Sequence, residues 1–269
     1  MARARDLPTR AEWEATTASP ELVRPFLFHF ERQEVGKLAQ RKLRLIACAA
    51  ARCLWKRMSE QELRNAVEVG ERFADGLATE KLREKAFRAA FEVHNSLELA
   101  YGIDDGSEFF LLSDRDRAEA WRTLSVAGMA ITCVKPPMGF ATLDGVCRTV
   151  PGLLLPIAKY RKGYSVEHGY QFGYDQVKDP LPPLVRDILG YPFAPVKFDK
   201  RWRTETVKLL TEGITAEGKF DRLPILADAL EEAGCDDADI LSHCRGPEPH
   251  VRGCWVVDLI RGTHWQPKL

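Results

Sequence analysis

The residues best suited to chemistry lie in one stretch, residues 220–262, where three cysteines and two histidines interrupt short helical patterns. They are Cys235, His243, Cys244, His250 and Cys254. Thiolate and imidazole are preferred ligands of Zn²⁺, so Cys235, His243, His250 and Cys254 could hold a structural zinc ion. The spacing contains no Cys-x-x-Cys pair, however, and matches no standard zinc pattern. Free thiols packed as small apolar groups, with histidines at helix ends, are the simpler interpretation, so the sequence predicts no cofactor.

Thiol chemistry at Cys254 is a second interpretation of the same stretch. His250 lies four residues earlier, so a helix that begins at His250 would carry both side chains on one face. A helix N-terminus also lowers the pKa of a thiol, which favours a nucleophile. No third orienting residue or oxyanion donor is evident, so no catalytic residue is assigned. A thiol-dependent or metal-dependent enzyme that uses this Cys/His cluster is kept as an alternative function.

An aromatic, glycine-rich segment in the centre of the chain is a candidate binding loop. The candidate binding residues are Tyr164, Tyr170, Phe172 and Tyr174 in this segment, together with His250 and Arg252. Such rings could stack on bases or on a peptide, although glycine-aromatic loops often pack on their own core. The leading expectation is a non-enzymatic module that recognises a protein partner, not identified by the sequence, through these loops or through a groove between helices.

A basic helix at residues 41–57 raises a third function, nucleic-acid binding. Its cations are Arg41, Lys42, Arg44, Arg52, Lys56 and Arg57, and they surround a stripe of apolar and small residues. They form no continuous patch, and acidic residues of the next helix can pair with them. A solvated amphipathic face is therefore the expected structure, and nucleic-acid binding through this helix is kept only as an alternative.

The composition excludes some classes of protein. Lys and Arg together number 39, as do Asp and Glu, so no net charge attracts the chain to nucleic acid or to an anionic membrane. The basic N-terminus has no apolar run behind it, which argues against a secretory signal, and the longest apolar stretches are too short to span a bilayer. Seven cysteines, an odd number, fit reduced thiols. We therefore expect a soluble, cytoplasmic protein with no membrane partner.

Helical periodicity dominates both ends of the chain and fails in its centre. Residues 11–134 are predicted to form an N-terminal helical block, residues 135–183 an irregular insert or linker rich in Gly and Pro, and residues 184–262 a C-terminal helical block packed on the first. Within the insert, residues 142–160 could form a short hairpin or a broken helix. The predicted fold is mainly α, a multi-helix bundle or a stacked helical array.

The last helical pattern predicts a specific packing. Its bulky residues are too apolar to stay exposed, so they should cover the face left open by the preceding helices. The expected contacts join Trp255, Val256 and Leu259 to Ile225, Leu226 and Leu230. Arg252 should pair with a nearby carboxylate, either Asp258 or Asp236.

Several motifs near the two ends carry a family resemblance. They are RAEWEATTASPELVRPFL, RKLRLIACAAARCLW and RNAVEVGERFADGLAT near the N-terminus, and LVRDILGYPFAPVKFDKRW, FDRLPILADALEEAGCDDADILSHCRG and HVRGCWVVDLIRG near the C-terminus. The chain resembles a large paralogous family of uncharacterised planctomycete proteins over residues 11–79 and 184–262. That family has no established activity. The resemblance implies a shared helical scaffold with a variable insert, and it supplies no catalytic residue.

Overall fold

Helices form the regular structure of the computed structural model, which describes residues 7–30, 36–103, 113–135, 139–154, 178–194, 196–247 and 249–266. The α-helices are α1 (Arg10–Ala15), α2 (Ser19–Phe30), α3 (Lys37–Cys53), α4 (Gln61–Ala74), α5 (Glu80–Ala100), α6 (Asp114–Val134), α7 (Phe140–Leu153), α8 (Leu181–Leu189), α9 (Glu205–Glu217), α10 (Leu223–Glu232), α11 (Ala238–Arg245) and α12 (Trp255–Arg261). No strand occurs among the described residues. The expectation of a mainly α fold is therefore confirmed. None of the described helices combines the length and the apolar character needed to cross a bilayer.

The helix α3 lies at the centre of a larger hydrophobic core, here called the N-terminal core, which is built from α1 to α8. It contacts α4, α6, α7 and α8. Its buried face is made of small residues such as Ala47, Cys48 and Ala50, and small side chains let neighbouring helices approach closely. The α4 helix approaches α6 closely as well, because a Cβ atom at Gly70 would lie 2.7 Å from the carbonyl oxygen of Cys133.

The centre of the chain is more regular than the sequence indicated. Residues 140–153 form α7, which packs on α2 and α3, so the hairpin alternative is wrong for the described part of residues 142–160. Pro151 misled the prediction because a proline in a helix removes the donor for the carbonyl four residues earlier. That carbonyl belongs to Cys147, and the Ser19 hydroxyl donates to it at 3.3 Å. Packing against α2 thus compensates for the proline.

The helices α9 to α12 enclose a second cluster of buried residues, the C-terminal core. Trp255 and Val256 are buried in it with Leu226 and Leu230, as predicted, whereas Leu259 is only partly buried. The prediction for Ile225 is wrong, because its side chain is 55% exposed.

The helix α8 forms the boundary between the two cores. Most of it lies in the stretch assigned to the C-terminal block, and its first three residues lie in the predicted insert, yet its apolar residues pack in the N-terminal core. It also contacts α12 of the C-terminal core. The side chains that α8 presents at this boundary are therefore placed to meet residues from both halves of the chain.

Candidate metal centre

Four side chains that can ligate a metal meet at the boundary between the two cores. They are Asp187, His243, His250 and Cys254, and one donor atom from each lies within 4.8 Å of all the others. We call this group the metal centre. Asp187 is on α8, His243 is on α11, and His250 and Cys254 flank the turn that leads into α12. The group thus connects a helix of the N-terminal core with two segments of the C-terminal core.

The distances within the metal centre are those of a compact polar cluster. His250 Nδ1 lies 2.7 Å from Asp187 Oδ1, and His243 Nε2 lies 3.1 Å from the same oxygen. His243 Nε2 also lies 3.3 Å from Cys254 Sγ. A tetrahedral zinc ion with bonds of about 2.0 to 2.3 Å separates its ligand atoms by about 3.3 to 3.8 Å. Small side-chain rotations would therefore open this cluster enough to admit the ion.

The metal centre is shielded from water. The side chains of Asp187 and Cys254 are fully buried, while those of His250 and His243 are 8% and 18% exposed. Asp187 is further fixed by its second carboxylate oxygen, which accepts a hydrogen bond from the Val251 backbone at 2.8 Å. Every donor is thus held by packing or by a hydrogen bond before any ion is present.

The pKa values of the two acidic groups, Asp187 and Cys254, are shifted in opposite directions. Burial raises the pKa of Asp187, but hydrogen bonds from His243 and His250 outweigh it, so the net pKa lies below its ordinary value. Burial and the nearby Asp187 carboxylate raise the pKa of Cys254 far above its usual range. In the absence of a cation, Cys254 is therefore a protonated thiol and a poor nucleophile.

The geometry does not match a nucleophile–base–orienter triad. In such a triad one imidazole nitrogen faces the nucleophile and the other faces the carboxylate. Here a single nitrogen, His243 Nε2, faces both Asp187 Oδ1 and Cys254 Sγ. His250 Nδ1 also faces Asp187, and His250 Nε2 is buried without a hydrogen-bond partner. Several donors that converge on one point suit a cation better than a proton relay.

The expected helix from His250 to Cys254 is not formed. The helix α12 begins at Trp255, and Gly253 just before it has a φ of +96°, a left-handed conformation that interrupts any helix. The two side chains therefore approach each other through a turn and not along one helix face. The sequence spacing therefore predicted correctly that His250 and Cys254 are neighbours, but the helix expected to bring them together is wrong.

The remaining sequence candidates lie elsewhere. Cys235 follows the end of α10 and Cys244 is on α11, and both are buried as apolar groups in the C-terminal core. The structure thus brings together His243, His250 and Cys254 and adds Asp187 where Cys235 was expected. Tyr164, Tyr170, Phe172 and Tyr174 lie outside the described residues.

Asp187 was missed because an acidic residue in a helix usually lies on the solvated face. Its sequence context held a signal, since it follows Leu184 and Val185 and precedes Ile188 and Leu189 in a short apolar helix. A carboxylate in such a helix is rarely fully buried unless it is paired. A buried acid of this kind predicts cationic or metal partners from another part of the chain.

Arg252 is not paired as expected either. Its guanidinium donates to Asp75 Oδ2 at 2.5 Å and to the Thr215 carbonyl at 3.1 Å, and not to Asp258 or Asp236. The Asp258 carboxylate already forms ion pairs with Arg41 and Lys42.

The predicted solvated basic face of residues 41–57 is wrong for three of its six cations. Lys42 is fully buried, Arg41 is nearly so, and Arg44 donates from a buried position to the Cys133 carbonyl at 2.6 Å. Arg52 does pair with an acidic residue of the next helix, Glu71, as predicted. Cations that are already paired inside the fold are not available to phosphates, which weakens the case for nucleic-acid binding.

An open pocket of about 380 Å³ borders the metal centre. His243 and Trp255 line it on one side, and Arg10, Tyr191 and Asp239 are also among its lining residues. Because the partly exposed side chain of His243 lines this pocket, an ion could reach the buried ligands through the pocket.

Comparisons of this chain with protein-family models, with curated proteins and with solved structures find no match. The resemblance to the planctomycete family therefore stays a prediction.

Proposed function

We propose that this protein is a non-enzymatic, zinc-binding helical scaffold in which Asp187, His243, His250 and Cys254 hold one structural Zn²⁺. The observation that carries the proposal is the convergence of four donor atoms within 4.8 Å at the boundary between the two cores. These donors come from three separate segments of the chain. An ion at this point would link α8 of the N-terminal core to α11 and α12 of the C-terminal core.

The chemistry of the donor set favours zinc over other common ions. Mg²⁺ and Ca²⁺ prefer shells of oxygen ligands, whereas one thiolate, two imidazoles and one carboxylate form a ligand set typical of Zn²⁺. The charges also match, because the carboxylate and the thiolate together neutralise a divalent ion when both imidazoles are neutral. A neutral site is the least costly one to bury in a region of low dielectric constant.

The ligand count favours a structural role over a catalytic one. Catalytic zinc ions keep one coordination position open for water or substrate, whereas structural zinc ions are closed by four protein ligands. Here four side chains are available, and two of them, Asp187 and Cys254, are fully buried. The protein-interaction role expected from the central aromatic residues stays a prediction, because those residues lie outside the described part of the chain.

A pair of cysteine variants tests the proposal. Cys254 and Cys244 are both fully buried in the C-terminal core, but only Cys254 belongs to the metal centre. The variants Cys254→Ala and Cys244→Ala each remove one sulfur atom from a fully buried position in the same core. Elemental analysis of reduced protein should find one zinc per chain in the wild type and in Cys244→Ala, and none in Cys254→Ala.

Chelation supplies the second measurement. Removing zinc with a strong chelator should lower the Tm of the wild type and of Cys244→Ala, because an ion that binds only the folded state stabilises it. The Tm of Cys254→Ala should not respond. A wild-type protein that takes up no zinc when it is supplied, and whose Tm is the same with and without chelator, would refute the proposal.

A further inference from the structure

A buried ammonium group contacts the backbone next to two residues of the metal centre. Lys42 on α3 is fully buried, and its Nζ donates to the carbonyl oxygens of Ile188 and Gly253, each at 2.7 Å. The same Nζ lies 2.5 Å from an oxygen of Asp258. An ammonium has three N–H donors, so all three have a partner. This explains how a charge can remain in the interior, where an unpaired ion would cost several kcal/mol.

The two carbonyls are significant because of their neighbours in the chain. Ile188 directly follows Asp187, and Gly253 directly precedes Cys254. Lys42 therefore holds the backbone beside two of the four metal ligands, and these two come from segments far apart in sequence. The side chain of Lys42 belongs to neither segment, because it extends from α3 in the N-terminal core.

We propose that Lys42 is a positioning residue for the metal centre, which it serves by fixing the backbone next to Asp187 and Cys254. The inference rests on the proposed zinc site. Metal ligands that are held in place by further hydrogen bonds lose less freedom when the ion binds, and such supporting contacts raise metal affinity. With Lys42 in place, the donor atoms stand close to their final positions before the metal arrives.

Lys42→Met tests this role, with Arg44→Met as the matched control. Arg44 is also a buried cation on α3 that donates to a backbone carbonyl, but its acceptor is Cys133 in α6, away from the metal centre. Both variants should lose stability. Only Lys42→Met should weaken zinc binding, by about 10- to 100-fold as measured by competition with a chelating dye.

Cobalt substitution provides a measurement, the absorption spectrum, that does not change when a variant only loses stability. In Co²⁺-loaded protein, the absorption bands report the number of ligands and the presence of the Cys254 thiolate. These bands should shift or weaken in Lys42→Met and stay unchanged in Arg44→Met. If Lys42→Met binds zinc as tightly as the wild type and gives the same cobalt spectrum, Lys42 has only a structural role and the inference fails, while the zinc proposal stands. If the wild type binds no zinc, both fail.

A measurement on the unmodified chain covers the case in which Lys42→Met does not fold. The Val251 amide donates to Asp187, and the Cys254 amide donates to the Val251 carbonyl. If Lys42 positions this turn in advance, both amides should stay protected from hydrogen exchange after zinc is removed by a chelator. Exchange of these two amides at the rate of an open loop in the metal-free protein would overturn the inference.

Discussion

Gly253 marks the closest approach of α3 to the turn that carries Cys254, and its replacement by alanine should be costly. Two terms contribute. The φ of +96° is left-handed, and such a conformation costs a residue with a Cβ about 1 to 2 kcal/mol. The new Cβ would also lie 2.7 Å from Leu45 Cδ1 and 3.3 Å from Leu45 Cβ. Leu45 is buried and cannot turn into solvent, and overpacking of this kind costs about 1 to 3 kcal/mol.

The two terms predict that Gly253→Ala lowers the free energy of unfolding by about 2 to 5 kcal/mol. Gly76→Ala is the matched control, because Gly76 has a φ of +73° but a Cβ added there would meet no atom within 4 Å. It should lose only the backbone term, about 1 to 2 kcal/mol. Denaturant unfolding of the metal-free proteins, with equal m-values, measures both losses. If Gly253→Ala costs no more than Gly76→Ala, the close approach to Leu45 does not limit this position and the reasoning is refuted.

Two further predictions concern the C-terminal part of the chain. Burial and the nearby Lys42 ammonium lower the pKa of His264 to about 4, below the value of about 6.5 expected in the unfolded chain. Between these two pKa values the unfolded state binds more protons than the folded state. The free energy of unfolding is therefore highest above a pH of about 6.5 and falls by about 3 kcal/mol as the pH drops towards 4. Unfolding curves at several pH values should show a weaker pH dependence for His264→Gln, and parallel profiles for the two proteins would contradict this origin. In α10, Leu226→Ala should cost about 2 to 5 kcal/mol because the side chain is fully buried, whereas the exposed Ile225→Ala should change stability by less than about 0.5 kcal/mol. Equal losses in the same denaturation assay would show that α10 packs through a different face.

Local patterns were sufficient to predict most of the helices, because periodicity and capping act over a few residues. Thr79, Ser113 and Asp237 accept hydrogen bonds from backbone amides at the starts of α5, α6 and α11, and each was recognisable as a capping residue type before an apolar period. The helix α7 escaped prediction for a non-local reason. The carbonyl that Pro151 leaves without its usual donor belongs to Cys147 and is satisfied by Ser19, 128 residues earlier in the chain, and no local window contains both residues.

The metal centre was only partly predictable for the same reason. His243, His250 and Cys254 lie close together in sequence, so residue types alone suggested them. Asp187 and Lys42 reach the metal centre and its surroundings from distant segments, and the residues next to them in the sequence do not identify their partners. Asp187 had a local signal of burial in its apolar helix, whereas the burial of Lys42 becomes visible only when the packing of α3 against α8 is known.

The pairing of α3 with the last helix has a consequence for the order of folding. Arg41 and its partner Asp258 are 217 residues apart, and Lys42 depends on the same carboxylate. During synthesis, α3 therefore leaves the ribosome long before Asp258 is translated. Arg41 can already pair with Asp75, but until then burying Lys42 without its carboxylate would cost several kcal/mol, so this end of α3 stays open in the nascent chain. The part of the N-terminal core around Lys42 can close only when α12 arrives, and a chain interrupted before α12 would present this unfinished surface to chaperones and proteases.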